Sequence, residues 1–290
     1  MKRKPLDLTV DGIILFFMGL FGMLAIVPFL YVVAASLTPL ELMGTRGQIV
    51  LFPKRISFDA YRYVFSTRTL MQALRVSVML TGVGTFFNIL MTVLFAYPLA
   101  HTNIKGRRII LFLVTFTMMF SGGIIPSYMV VRSLGMMNRM SALILPGAIS
   151  TFSFIVFRNY FMGLPKELEE SAMIDGAGYL RILIQIIIPI SMPIIATFAV
   201  IYGVGHWNSW FAATLYIRDS ARWPIQVVLR MLTNLSMALG DTTMMDSDIM
   251  LPPVTARMCT IVIATVPILM VYPFLQKYFT KGILMGSVKG

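Results

Sequence analysis

The stretch Pro165–Pro193, PKELEESAMIDGAGYLRILIQIIIPISMP, is a polar island in a chain that is otherwise mostly lipid-soluble. Glu167, Glu169, Glu170 and Asp175 all fall inside it, against 12 acids in the whole chain. A membrane protein that places a third of its acids on one short segment shows that segment to something outside the bilayer. Pro165 suits the first turn of a helix, where its missing N–H is no loss. The glutamates then lie near the positive end of that helix dipole. Leu164, Leu168 and Ala172 recur at intervals of four and form a narrow apolar stripe. Ser171 and Ala172 are small enough for close approach by a partner. Asp175-Gly176 signals a turn, a second short helix is expected from Ala177, and Ile186-Ile187-Ile188-Pro189 re-enters the membrane. On these residues alone two readings stand: a solvated loop kept soluble by its acids, or a protruding helix–turn–helix elbow.

The surrounding composition sets the class. Of 290 residues 58% are hydrophobic and 12% charged, with mean hydropathy +0.82. No soluble domain of this length reads that way. Apolar runs of roughly 20 residues recur, as a helix crossing a ~30 Å hydrocarbon core requires. Barrel strands would alternate instead. The expected fold is all-α, a polytopic membrane protein of six transmembrane helices: Ile13–Leu37, Val76–Ala100, Ile109–Val131, Ser141–Phe161, Ile186–Gly205 and Met258–Gln276. The first run is longer than a signal-peptide core and reads as a span. Residues 1–72 then form an N-terminal span and outer loop. Residues 73–290 form a core of five helices with the elbow at 164–186 and a tail at 277–290. One cysteine, Cys259, excludes an internal disulfide and a multi-cysteine metal site, and reads as a packing residue.

Lys and Arg divide evenly between the two faces, twelve to a side. The bunched Lys2-Arg3-Lys4 and Lys105-Gly106-Arg107-Arg108 break the tie, because charges beside early spans carry most weight. Their side is read as cytoplasmic, with both termini and the acidic island on it. The net charge of +12 suits anionic headgroups or an acidic ligand, and its spread along the loops argues against nucleic acid. No Asp, Glu or Lys is central in a span, which weighs against a built-in proton relay. Helix breakers interrupt several spans, at Gly122-Gly123, Pro146-Gly147, Pro189, Pro193, Pro267 and Pro273. Kinked spans fit a bundle around a passage.

Glu170-Ser171-Ala172, then Asp175-Gly176-Ala177, then Ile188-Pro189 resembles the EAA motif of ABC importer permeases, departing mildly at Ser171 and at Ile188, where leucine is usual. Phe120-Ser121-Gly122-Gly123-Ile124-Ile125-Pro126, Gly205-His206-Trp207-Asn208-Ser209-Trp210 and the closing Gly286–Gly290 are similar to the smaller maltose-type subunit and to permeases for complex sugars. The similarity runs from about Ala73 to the end.

The resemblance implies a type I importer permease in the bacterial cytoplasmic (inner) membrane. It implies a second permease subunit, two cytoplasmic ATPase subunits, and a periplasmic or lipid-anchored solute-binding protein. The chain lacks the G-x-x-x-x-G-K-[ST] phosphate loop. It is therefore not the ATPase, has no cofactor of its own, and leaves ATP and Mg to its partners. Leu168, Glu170, Ser171, Ala172, Asp175, Gly176 and Ala177 become the ATPase-coupling residues. Glu170 would make a polar contact, Ala172 and Ala177 close packing, and Gly176 the turn. The connections Thr38–Arg75 and Arg218–Arg257, with a tip at Gly240–Asp248, are candidates for docking the binding protein.

A carbohydrate offers C–H faces to aromatic rings and hydroxyl edges to amides and hydroxyls. Asn88, Tyr97, Tyr128, Ser153, Tyr202, Trp207, Asn208 and Trp210 are the candidate substrate-path residues. For Trp207 and Trp210, anchoring at the headgroups competes. Arg-rich outer connections suit an acidic, uronic-acid oligosaccharide, and a neutral one stays open. The alternative function is an ion-coupled secondary transporter, which needs an inverted repeat or mid-depth coupling groups. An intramembrane enzyme needs a catalytic constellation within the spans, and none is seen.

Overall fold

The computed structural model describes residues 5–39, 42, 51–101, 104–240 and 254–286. The Lys2–Lys4 cluster, the tip at 241–248 and the tail residues 287–290 lie outside the described residues. Those described are helical throughout their regular parts, with no strand. In chain order the helices are α1 (Pro5–Ser36), α2 (Asp59–Ser66), α3 (Arg68–Ala100), α4 (Arg107–Met119), α5 (Ile124–Ser133), α6 (Ser141–Ile144), α7 (Thr151–Met162), α8 (Glu167–Ile174), α9 (Tyr179–Ile182), α10 (Ile188–Ile190), α11 (Met192–Trp207), α12 (Phe211–Tyr216), α13 (Ile225–Gly240) and α14 (Val254–Gly286). Short 3-10 turns at Leu145–Gly147 and Ser220–Arg222 and a π-helical segment at Leu183–Ile187 complete the order.

Among the described residues three helices are long and apolar enough to cross a membrane: Asp11–Ser36, Arg68–Ala100 and Val254–Val271. Two further stretches pass as bent pairs, Ser141–Gly147 with Thr151–Met162 at 52° and Tyr179–Ile190 with Met192–Trp207 at 81°. The third expected span, Ile109–Val131, is divided. α4 is 13 residues, roughly 20 Å of helix, and stops at Phe120; α5 restarts after Gly123, whose φ of 84° no β-branched residue would hold. The Gly122-Gly123 pair read as a breaker thus separates two helices.

The fifth expected span starts late. Pro189 and Pro193 flank the bend at Ser191, so residues 186–190 belong to the arm leading away from the elbow, and the straight helix begins at Met192. The second elbow helix begins at Tyr179 rather than Ala177, because Gly178 is extended and caps it. Pro165 lies just before α8, whose first helical residue is Glu167.

The chain forms two compact units. One comprises the chain up to Met71 with Leu229–Val266. Within it α1 is apolar on every face and exposed along most of its length, as a helix solvated by lipid would be. Only its end packs, at Ala34, Ala35 and Ser36, where the Ser36 hydroxyl meets Tyr61 Oη at 2.9 Å. Cys259 is fully buried in α14.

The other unit comprises Gln72–Val228 with the chain from Pro267. Its core joins Val93, Ala96 and Tyr97 of α3, Phe154, Phe157 and Phe161 of α7, Ala172 of α8, Ile182 of α9, Leu183 and Ile187, and Phe198 of α11. A smaller cluster packs Val131, Ala142 and Tyr216. The elbow therefore rests on the same core as the membrane helices beneath it.

Candidate functional site

α8 is short, and its first turn carries Glu167, Glu169 and Glu170. Its end is a Schellman closure: Gly176 N–H donates to Met173 O and Ala177 N–H to Ala172 O, both at 3.0 Å. That closure needs a left-handed residue, and Gly176 supplies it with φ of 80°. The Asp-Gly turn signal is thus realised as a helix stop.

The three glutamates have different fates. Glu169 turns inward, its side chain 17% exposed, and its Oε2 lies 3.6 Å from Nε2 of His101, just past the end of α3. The His101 ring stands edge-on to Tyr97 at 5.0 Å and to Tyr179 at 6.3 Å. Glu167 and Glu170 point away from the chain and are exposed.

The small residues divide likewise. Ala172 is buried in the core, and Leu164 and Ala177 pack against it. The expected close-packing surface of Ala172 and Ala177 is therefore turned toward this chain's own helices. Ser171, Asp175 and Gly176 are exposed, and Leu168 is half-buried. What the elbow shows outward is apolar: Ile174 is 87% exposed, beside exposed Met173, Tyr179 and Leu180. A patch of this kind rimmed by Glu167, Glu170 and Asp175 is the ordinary signature of a protein-docking surface. Sequence reading missed both Ile174 and the Glu169–His101 pair. The available signal was that Met173-Ile174 fall off the stripe marked by Leu164, Leu168 and Ala172.

The substrate-path candidates do not gather into one cleft. Asn88 is 1% exposed, and both its amide hydrogens are engaged, donating to Gly147 O and Ala148 O. Those carbonyls lie in the break before α7, so Asn88 satisfies backbone that a broken helix leaves without partners. Its Oδ1 accepts from His206 Nε2 at 2.6 Å, which fixes the proton on that nitrogen. Gly84 makes room for the imidazole: a Cβ there would lie 2.6 Å from Nε2. Tyr202 completes the hook, its hydroxyl meeting Thr92 Oγ1 at 2.9 Å and accepting from Ser150 N–H at 3.3 Å. His206 is a structural member of this hook.

Tyr97 lies at the elbow end, against Phe161 and His101. Ser153 and Trp207 are buried. Tyr128 stacks on Tyr216 at 6.2 Å, and Trp210 meets Phe211 edge-on. Asn208 is exposed and accepts a long contact of 3.4 Å from Gln226 Nε2.

A separate basic turn is organised by Asn138, the one described non-glycine residue with positive φ. Its Oδ1 accepts from the backbone N–H of Arg218 at 3.2 Å and of Asp219 at 3.1 Å, and its carbonyl accepts from Arg222. Arg139, Arg218 and Arg222 are exposed around it, with Asp219 paired to Arg222 at 3.5 Å.

Comparison with known proteins adds four findings. Residues 88–285 match the family described as binding-protein-dependent transport system inner membrane component. Protein LplC of Bacillus subtilis (strain 168) is 50% identical over 278 residues, covering 94% of this chain and 92% of that one. The polygalacturonan/rhamnogalacturonan transport system permease protein YtcP of the same organism is 44% identical over the full length of both. Among solved structures, a bacterial ABC transporter involved in the import of the acidic polysaccharide alginate contains a chain with TM-score 0.85 and 28% identity, over 96% of this chain and 99% of that one.

Proposed function

From the premise that this chain belongs to the binding-protein-dependent transport system inner membrane component family, we propose that it is the permease subunit of an ABC importer whose cargo is an acidic oligosaccharide. The observation that carries the cargo is the 44% identity, end to end, with a permease named for polygalacturonan and rhamnogalacturonan. The fold shared with an alginate importer points to the same chemistry, a chain of sugars bearing carboxylates. The exposed arginines around Asn138 are a matching charge.

In this reading the chain makes six spans, α4 and α5 together completing the one that is too short in either piece. Residues 1–72 are the N-terminal span and outer loop, 73–290 the permease core. Both termini and the elbow face the cytoplasm, and the chain pairs with a second permease. The patch of Met173, Ile174, Tyr179 and Leu180 is received by an ATPase partner, which binds the ATP and Mg that this chain has no loop to hold. Leu168, Glu170, Ser171, Asp175 and Gly176 carry the contact and its shape, and Ala172 and Ala177 tie the elbow to its own helices. A solute-binding protein docks at the opposite face, where Arg139, Arg218 and Arg222 lie. Tyr128, Asn208 and Trp210, which keep exposed surface, are the path residues best placed to meet cargo.

The test is uptake by the reconstituted importer of an oligogalacturonate and of a neutral arabino-oligosaccharide, over a range of salt. The acidic cargo should be preferred, and its entry rate should fall as salt screens the arginines. Preferential uptake of the neutral chain, with no salt dependence, refutes the cargo assignment.

A further inference from the structure

The end of α3 nearest the elbow carries more positive charge than its architecture needs. Arg107, at the start of α4, and Arg158, in the last turns of α7, each donate from Nε to the same acceptor, Leu99 O, both at 3.0 Å. Their Nε atoms can be no further apart than the sum of those distances. One arginine on a carbonyl at a helix C-terminus is ordinary, because that end is negative and its last carbonyls lack partners. A second arginine on the same oxygen adds little to the cap and brings repulsion between like charges.

Among the described residues no carboxylate lies within ion-pair distance of Arg107, Arg158 or the adjacent Arg108. The other contacts are to neutral groups: Arg107 Nη2 reaches Met162 Sδ at 4.0 Å, and Arg158 Nη1 donates to Asn159 Oδ1 at 3.3 Å. Both residues are half-buried and their Nε contacts partly so, which leaves water to screen them incompletely. Arg107 and Arg108, with Ile104, Gly106 and Ile109, line an open depression at this point. From its edge the apolar side of α4 continues outward through exposed Ile109, Phe112, Leu113 and Phe116.

We propose that this is a binding site for the phosphate of an anionic lipid headgroup, held by Arg107, Arg108 and Arg158 with its acyl chains along α4. A guanidinium presents a planar fork of donors that matches phosphate oxygens. A phosphate between the two arginines would replace their mutual repulsion with attraction to a shared anion. Basic pockets between membrane helices at the headgroup level bind such lipids by this chemistry. A free phosphate ion would satisfy the charges, but it would leave the apolar wall of α4 without a role; a lipid uses both. The site does not depend on which cargo is carried. Its place beside His101 and Glu169 gives the elbow a lipid-sensitive neighbour.

The test uses the full chain with its partner subunits, stripped of lipid in neutral detergent and placed in nanodiscs of phosphatidylcholine with a minor share of phosphatidylglycerol. Native mass spectrometry then counts the lipid retained. Phosphatidylglycerol should be enriched on the wild type. Loss of each arginine should weaken retention about fivefold, the worth of one basic residue at an anionic surface. Arg107→Gln/Arg158→Gln should therefore lose it almost completely. Since that pair also caps α3, Arg108→Gln is the decisive variant: it lies outside the Leu99 contact and should show its own fivefold loss with unchanged melting. Arg139→Gln, in the Asn138 turn, should retain the lipid as the wild type does. A second arm titrates inorganic phosphate into the lipid-free protein and follows Tm. Phosphatidylglycerol should raise Tm and phosphate should not. Equal retention by wild type, Arg108→Gln and the double variant would overturn the site. Protection by phosphate equal to that by the lipid would make it a site for a soluble anion and overturn the lipid assignment.

Discussion

Replacing Gly176 with valine should uncouple this permease without unfolding it. The turn after α8 is held by two backbone hydrogen bonds of 3.0 Å, and it forms only if residue 176 adopts φ near the observed 80°. No atom lies within 4 Å of the place a Cβ would take, so the change meets no clash. Its whole cost is conformational. An L-residue in the left-handed region costs roughly 1–2 kcal/mol, and a β-branched one lies at the upper end. Opening the turn instead gives up two hydrogen bonds worth about 0.5–1.5 kcal/mol each. The two costs are comparable, so the valine variant would divide between a strained closed turn and an open one. A shift of 1–2 kcal/mol changes that ratio by about 5- to 30-fold.

The magnitude matters because coupling between distant sites is itself typically about 1–3 kcal/mol. A turn that opens at similar cost would absorb the stroke meant for the helices. In proteoliposomes containing the full importer, Gly176→Val should hydrolyse ATP yet move several-fold less cargo per ATP, with subunit assembly unchanged. Gly176→Asn should recover most of the loss, since asparagine tolerates the left-handed region. If valine transports normally, or if asparagine is as impaired as valine, then backbone conformation at Gly176 is not what the elbow needs.

Two further outcomes concern the hook around the broken span. Asn88→Leu removes the donor that Gly147 O and Ala148 O share; interhelical bonds of this kind average ~0.6 kcal/mol in membranes and reach ~1.7, so two should cost roughly 1–3 kcal/mol, read as a lowered Tm in detergent. Gly84→Ala places a Cβ 2.6 Å from the His206 ring and must expel it from Asn88; adding His206→Ala should restore part of the lost Tm, whereas additive losses would mean that the close approach is not the cause.

What the sequence made legible follows from the reach of each interaction. Apolar length is a local property, and it placed the helices that became α1, α3 and α14. Turn chemistry is local too: Asp175-Gly176 and Gly122-Gly123 marked a stop and a break where the backbone has them. Direction is not local. Ala172 looked outward because it is small and sits in an acidic helix, but the side that carries it is chosen by Phe157 and Phe161 of α7 and Ile182 of α9. Asn88 read as a polar group on a passage for a similar reason. Whether an amide faces cargo or backbone depends on where a break about 60 residues later falls, and the bonds at separations of 59 and 60 have no local trace. The 81° bend was legible only as two prolines; that they act together at Ser191 required the packed helix.

The elbow and the hook meet on one helix, α3. Glu169 touches His101 at the end of α3, while Ala172 and Ile182 pack with Val93, Ala96 and Tyr97 along its last turns. Asn88, two to three turns earlier on the same helix, holds the break before α7. Close-packed interiors do not deform smoothly, so a displacement applied at α8 should reach the Asn88 contacts as a shift of α3 rather than be lost between them. Contiguity alone is not transmission; that requires an element with two arrangements. This unit has two breaks in its packed helices, the 52° break at 147–151 and the 81° bend at Ser191. They sit on α7 and α11, the helices against which α3 is packed. A stroke at the elbow would therefore act on angles already bent, and the Asn88–His206 contact would tie α3 to α11 as those angles change.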